Sequence, residues 1–173
     1  ELNLSKNHIG NKSAIAIANN LEWNKIKKLY LSGNNIGDEG GVPIGMNQIW
    51  RDIEELDLSN NNIGDKTAKT IGENKFWSKM KRVSLANNKI GDEGGKKLGE
   101  NVTWRELTKL NLNGNRIGDE TLVVMSENNS WEKLRELLLE YNKIGEKGAK
   151  YLSKNTTWTN LQTLNLSRNK IGE

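Results

Sequence analysis

Hydrophobic residues recur along the chain in a fixed 27-residue frame. The segment LNLSKNHIGN occupies residues 2–11, and the similar LNLSRNKIGE occupies residues 164–173. The leading apolar residue returns at every step without insertion or deletion, at Leu2, Leu29, Leu56, Val83, Leu110, Leu137 and Leu164. A fixed period of this length marks stacked structural units. We therefore predict one domain over residues 1–173, made of six 27-residue repeats and the start of a seventh.

The repeat at residues 56–82 shows which elements the pattern predicts. In LDL, Leu56 and Leu58 fall on one face and Asp57 on the other, as in a short strand. The segment KTAKTIGEN then predicts a short helix, with Asp65 as N-cap and Asn74 closing it in a left-handed conformation.

A unit this short buries its apolar face only by stacking on its neighbours. Parallel strands lie about 4.7–4.9 Å apart, so strands on one side and helices on the other make the strand side shorter. The predicted fold is a curved α/β solenoid with a parallel β-sheet on the concave face and short helices on the convex face. Pro43 interrupts one helical segment, and we expect that helix to be shortened or absent.

Two further residue types follow the repeat. An asparagine stands where each strand ends, and its amide can pair with turn backbone. Seven copies favour this structural role over a catalytic amide: Asn7, Asn34, Asn61, Asn88, Asn115, Asn142 and Asn169. The tryptophans come three residues before an apolar position and are predicted to fill the core, the alternative being a stacking platform: Trp23, Trp50, Trp77, Trp104, Trp131 and Trp158.

Composition offers no catalytic centre. The chain has no cysteine and one histidine, His8, so neither a catalytic triad nor a metal site has candidate members. Acidic pairs such as Asp38–Glu39 could suggest calcium, but they begin the helices and are better interpreted as caps. We predict a protein that is not an enzyme and has no cofactor.

Charge indicates the class of partner. The net charge is +4, yet residues 29–55 carry −4 and residues 56–82 carry +3, which argues against one continuous nucleic-acid stripe. No apolar run has the length of a membrane span. The expected partner is therefore another protein, with neither nucleic acid nor membrane. Glycosylation motifs at Asn3 and Asn165 lie on the strand face, where a glycan would obstruct binding, so a cytoplasmic origin is favoured although the compartment is not assigned.

The sequences LYLSGNNIGDEG and VSLANNKIGDEG resemble the leucine-rich repeat. The variety they resemble is that of ribonuclease inhibitor, RanGAP and the sensors of NOD-like receptors. This resemblance implies a curved solenoid whose concave sheet binds another protein. Two features differ, because Trp stands where related sequences commonly place Leu and the helical segment is shorter. Terminal caps are expected to lie outside this segment.

Positions that vary between repeats are candidates for recognition. Apolar residues on an open sheet face are candidate anchors, with isolated surface hydrophobes as the alternative. We predict partner binding on the concave face and rim, mainly in the C-terminal half, through Tyr30, Arg82, Lys109, Glu136, Leu138, Glu140, Tyr141, Lys143 and Lys170.

One charged row keeps its sign. Two residues before each glycine, four consecutive repeats carry a cation: Lys89, Arg116, Lys143 and Lys170. Like charges at strand spacing do not favour folding. Either nearby acids offset them, or they bind an acidic partner.

Two other functions stay open at this point. Apolar residues at both ends of the stack, such as Leu2 and Leu164, would support a scaffold that self-associates end to end. A regulator of a GTPase, like RanGAP, would need specific polar residues on one rim, and the sequence does not match them.

Overall fold

The computed structural model describes residues 1–172, in which short strands and helices alternate. The strands are β1 (Leu2–Asn3), β2 (Lys28–Tyr30), β3 (Glu55–Asp57), β4 (Arg82–Ser84), β5 (Lys109–Asn111), β6 (Glu136–Leu138) and β7 (Thr163–Asn165). The helices are α1 (Asn11–Ala18), α2 (Asp38–Gly45), α3 (Asp65–Glu73), α4 (Asp92–Gly99), α5 (Asp119–Ser126) and α6 (Glu146–Leu152).

The strands form one parallel sheet in chain order, β1 to β7. Leu29 pairs with Leu56, and Leu56 pairs with Val83, so the register equals the sequence period. Each helix packs on the helix of the next repeat. The strand side is therefore shorter per repeat than the helix side, since helix axes lie about 8–10 Å apart. The prediction of a curved α/β solenoid with a concave parallel sheet is confirmed.

The core lies between the sheet and the helices. Leu56 and Leu58 of one repeat are buried, as are Ala68 and Ile71 on the inward side of α3. The equivalent positions of neighbouring repeats join them in one continuous hydrophobic cluster. A single repeat could not close such a core, so the repeats depend on stacking for their burial.

The helix N-termini differ from the prediction, because Gly64 is the N-cap of α3 and Asp65 is its first residue. The Asp65 carboxylate caps the next helix instead, accepting from the N–H groups of Gly91 at 2.7 Å and Gly94 at 2.9 Å. Stacking places these N–H groups, which have no partner within their own helix, beside the preceding repeat. The carboxylate therefore reaches them more easily than the donors of its own helix. Asp38, Asp92 and Asp119 make the same contact.

The prediction for Asn74 was also wrong. It is extended, with φ −70° and ψ 116°, rather than left-handed. Its buried side chain donates to the carbonyls of Gly45 at 2.8 Å and Asn47 at 2.9 Å, so it binds the preceding repeat. Buried or half-buried asparagines make such contacts across the stack and form a second ladder, at Asn47, Asn74, Asn101, Asn128 and Asn155.

Pro43 does not shorten its helix. The helix α2 runs from Asp38 to Gly45 and has eight residues, the same length as α4. Pro43 removes the hydrogen bond to the carbonyl of Glu39, which is exposed, so water can satisfy that carbonyl. The cost is therefore small enough for stacking to hold the helix.

Glycines allow the helices to pack closely. A Cβ at Gly72 would overlap the backbone carbonyl of Lys97 in the next helix. A Cβ at Gly94 would approach the Cα of Asp65 to 2.9 Å. These glycines are needed for helix contact rather than for an unusual backbone angle.

Candidate binding surface on the concave sheet

The asparagine at the end of each strand joins two repeats. The Nδ2 of Asn115 donates to the carbonyl of Leu112 at 3.1 Å and of Leu85 at 2.9 Å. Its Oδ1 accepts from the N–H of Ile90 at 3.0 Å. One amide thus satisfies turn groups in its own repeat and in the preceding one. Such a group contributes to the scaffold and is not available to a ligand.

Five of the six tryptophans are buried, and Trp23 is the correction, because its exposed fraction is 39%. The indole N–H of Trp131 donates to the carbonyl of Asn101 at 3.0 Å, and that of Trp158 to Asn128 at 3.2 Å. These two indoles thus bond back to the repeat before them, whereas the buried indole N–H groups of Trp50, Trp77 and Trp104 have no hydrogen-bond partner among the described residues. Trp23 lies in the first repeat and has no such neighbour.

On the concave face, Glu55 holds the side chains of both adjacent strands. It forms ion pairs with Lys28 at 3.0 Å and with Arg82. It also accepts a hydrogen bond from the Tyr30 hydroxyl at 2.6 Å. Burial raises the pKa of Glu55, but the hydrogen bonds from Tyr30, Arg82 and Lys28 outweigh it and lower the pKa to about 2. Burial, followed by the hydrogen bond to Glu55, raises the pKa of Tyr30 to about 12.

The other charged concave residues are paired in the same way. Lys109 and Glu136 face each other across β5 and β6 at 2.7 Å. Arg82, Lys109 and Glu136 therefore already carry partners within the chain, and a ligand would compete with these pairs. Equivalent pairs one repeat apart join Asp52 to Lys79, Glu54 to Lys81, Glu106 to Lys133 and Glu120 to Lys147. The alternation of charge between repeats is thus used for internal pairing.

Near the C-terminal end the concave face carries an apolar cluster. Leu138 is half-buried on β6, between Asn111 and Asn165 on the neighbouring strands. Glu140 accepts from the Asn165 amide at 3.2 Å. Tyr141 follows at the rim with an exposed fraction of 65%. We call Leu138, Glu140 and Tyr141 the concave cluster.

The backbone at Tyr141 is left-handed, with φ +57°. This conformation recurs at the same position of every repeat. Asparagine and glycine adopt it readily, whereas a bulky residue does so at a cost. The seven residues at this position are Lys6, Gly33, Asn60, Asn87, Gly114, Tyr141 and Arg168. Its glycines and asparagines were a signal for a left-handed backbone, and the prediction from sequence did not use it.

The basic row consists of Lys89, Arg116, Lys143 and Lys170, all exposed. The backbone N–H of Arg116 donates to the carbonyl of Ile90 at 2.7 Å, and the next two members repeat this bond. The four residues therefore lie in a row across the repeats, beyond the C-terminal ends of the strands and at the spacing of the strands. Among residues 1–172, no carboxylate lies within 4.0 Å of any of the four. Direct ion pairs with nearby acids, the first of the two alternatives, are therefore not formed among these residues, and Asp92 and Asp119 cap helices instead.

Residues 1–172 hold neither a candidate metal site nor a candidate membrane-spanning helix. They contain no group of three or more His, Cys, Asp or Glu side chains able to hold a metal ion. No helix in this range is long and apolar enough to cross a membrane.

The stacked strand, asparagine and helix pattern matches a known family. The profile described as Leucine Rich repeat matches residues 1–18, 24–45, 51–72, 78–99, 105–126, 132–153 and 159–173. The chain belongs to the leucine-rich repeat family. The match does not specify the ribonuclease-inhibitor subtype. No curated protein matches the sequence.

Solved leucine-rich repeat structures have the same fold. An internalin, InlF, from Listeria monocytogenes is 22% identical, with a TM-score of 0.62 over 99% of this chain and 48% of the internalin chain. A plant ice-binding protein is 19% identical, with a TM-score of 0.58 over 99% of this chain and 49% of its own. The ectodomain of the Arabidopsis thaliana receptor kinase GASSHO1/SCHENGEN3 is 19% identical, with a TM-score of 0.54 over 87% of this chain and 19% of its own.

The present chain thus spans about half the length of the first two structures and about a fifth of the third. At this identity the likeness shows the fold alone. Leucine-rich repeats commonly serve as protein-interaction modules.

Proposed function

We propose that this protein binds another protein through the concave sheet and its C-terminal rim, and that it catalyses no reaction. The observation that carries the proposal is Tyr141, an aromatic side chain with 65% exposure on a left-handed backbone. The left-handed position also holds Lys6 and Arg168, so the exposure of the aromatic ring, rather than backbone strain, carries the argument. Asn87 occupies the equivalent site with φ +53°.

The surroundings of Tyr141 support a protein partner. Leu138 supplies an apolar surface at the end of β6 in the same repeat, and Glu140 and Arg168 supply both charge signs beside it, 3.7 Å apart. Apolar anchors edged by polar groups are typical of protein interfaces. Among the similar structures, the Arabidopsis receptor ectodomain was solved in complex with CASPARIAN STRIP INTEGRITY FACTOR 2, which supports a peptide or protein ligand for this fold.

The test begins with an affinity capture from a lysate of the source organism. The affinity of the captured partner is then measured for a double variant, Leu138→Ala with Tyr141→Ala. We expect affinity to fall by about 2 kcal/mol or more, since truncating a true anchor costs that much, while thermal stability changes little.

A convex double variant, Lys147→Ala with Lys150→Ala, is the matched control. If it abolishes binding and the concave variant does not, the helix side is the interface and the proposal is wrong. Light scattering at several concentrations separates partner binding from end-to-end self-association, because only the latter makes the mass rise with concentration.

A further inference from the structure

The basic row carries a cation in four consecutive repeats, and none of the four has an ion pair within residues 1–172. At other positions of the repeat, opposite charges in adjacent repeats form ion pairs, as in Asp52–Lys79 at 2.6 Å and Glu106–Lys133 at 2.7 Å. In the basic row four consecutive repeats carry the same sign. Repulsion between neighbours opposes folding there. Exposed cations in line, without an ion pair in the part of the chain that the structure describes, can attract an external anion.

We infer that the basic row binds an extended acidic segment of a protein partner. The segment runs across the repeats, beside the C-terminal ends of the strands. The inference rests on the proposed function, since it gives the chemistry of a partner segment at the rim of the same surface. Three steps of about 4.8 Å make the row about 14 Å long. An extended chain of about four or five residues covers this length.

The row lies beside the concave cluster, which favours a peptide. Lys143 follows Tyr141 by two residues, and the buried Asn142 between them fixes both on the scaffold. A partner could therefore place an apolar residue on Tyr141 and Leu138 while its acidic residues run along the row. Charge pairs at such a rim add specificity and speed association.

The same surroundings disfavour a nucleic acid. Glu140 lies next to the row with a side-chain exposure of 33%, and a continuous phosphate backbone would meet its charge. Single-strand binders also place aromatic residues along the groove for base stacking. Within two sequence positions of the row's members, Tyr141 is the one aromatic residue. In an extended peptide successive side chains point to opposite sides, so its carboxylates need not face Glu140.

The test uses the whole protein and a labelled oligoglutamate peptide of about eight residues, which exceeds the row length. Binding is measured by fluorescence anisotropy at low and physiological salt. The row variant combines Lys89→Gln, Arg116→Gln, Lys143→Gln and Lys170→Gln. We expect its affinity for the peptide to fall about tenfold or more, and the salt dependence of binding to weaken.

The control variant removes the same charge from the convex helices, through Lys12→Gln, Lys66→Gln, Lys69→Gln and Lys150→Gln. These four lysines are also exposed, and no carboxylate lies within 4.0 Å of them in the part of the chain that the structure describes. The control should bind oligoglutamate within about twofold of wild type, since the net charge of the two variants is equal. An equal loss in both variants would overturn the inference.

Two further probes complete the test. Oligoglutamine of the same length should not bind, and oligothymidylate should bind more weakly than oligoglutamate. Absence of oligoglutamate binding, or tighter row-dependent binding of oligothymidylate, would overturn the inference. Oligoglutamate has no apolar side chain, so the variant Leu138→Ala with Tyr141→Asn should bind it normally. Loss of oligoglutamate binding by the row can therefore be distinguished from loss of partner binding by the concave cluster.

Discussion

Asn88 joins two adjacent repeats with a single side chain. Its Oδ1 accepts from the N–H of Ile63 at 3.0 Å, and its Nδ2 donates to the carbonyls of Leu58 and Leu85, both at 3.0 Å. Ile63 and Leu58 belong to the preceding repeat. The amide therefore satisfies backbone groups that neither turn could pair alone.

Replacing Asn88 should destabilise the whole stack. In Asn88→Ala these turn groups lose their partner, which costs about 1–3 kcal/mol in the free energy of unfolding. Denaturant melts give the value. Asn62→Ala is the matched control, because Asn62 is exposed and its side chain bonds only Asn35, at 2.8 Å. Equal midpoints for the two variants would contradict the structural role of the ladder.

Close helix packing predicts a selective effect of added methyl groups. A Cβ at Gly72 would overlap the Lys97 carbonyl, whereas a Cβ at Gly10 has nothing within 4 Å. Gly72→Ala should therefore lower the free energy of unfolding by about 1–3 kcal/mol, the usual cost of overpacking. Gly10→Ala should leave it nearly unchanged. A melt that shows no difference between them would mean that the helices move apart freely.

The tryptophan ladder predicts the fluorescence of the folded protein. Emission should be blue-shifted, because Trp50, Trp77, Trp104 and Trp131 have 0% exposure. Iodide should quench mainly Trp23. The variant Trp23→Phe should remove most of the quenchable emission, whereas Trp104→Phe should lower the intensity and leave the quenchable part. Ready quenching of Trp23→Phe would show that the ladder is exposed.

The pKa of Glu55 predicts how stability depends on pH. Folding lowers this pKa from 4.5 to about 2. The stabilisation is therefore complete above pH 4.5 and is lost as pH falls towards 2. The shift corresponds to up to about 3 kcal/mol.

Urea melts between these pH values test the effect. The variant Glu55→Gln should be less stable at neutral pH and should lose less stability on acidification. The variant Glu127→Gln, at an exposed carboxylate, should keep the slope of wild type. Parallel curves for wild type and Glu55→Gln would refute the role of Glu55 as the hub of Lys28, Tyr30 and Arg82.

The period of the sequence was sufficient to predict the fold. Leu56, Leu58 and Ile71 are buried as their spacing indicates, since burial repeats with the period. The contacts between repeats could not be predicted from one repeat. Asp65 caps the following helix and Asn74 binds the preceding one, and neither partner lies in the segment used to assign their roles.

The candidate site was harder to predict than the fold. Residues that vary between repeats have no period, so the sequence does not distinguish Arg82, paired with Glu55, from Lys143, which forms no ion pair within residues 1–172. The left-handed backbone at Tyr141 was visible only as the glycines and asparagines at the equivalent position, Gly33, Asn60, Asn87 and Gly114. Scaffold residues recur in every repeat and can be recognised by their period, whereas each candidate contact residue occurs once.

Tyr141→Asn tests the central claim most directly, because it separates folding from binding. Asparagine suits the left-handed backbone better, so the free energy of unfolding should rise by up to about 1 kcal/mol. Affinity for the captured partner should fall about tenfold or more. Lys6→Asn makes the same change at φ +57° in the first repeat and should leave affinity unchanged. A Tyr141→Asn protein that binds its partner as tightly as wild type would contradict the account.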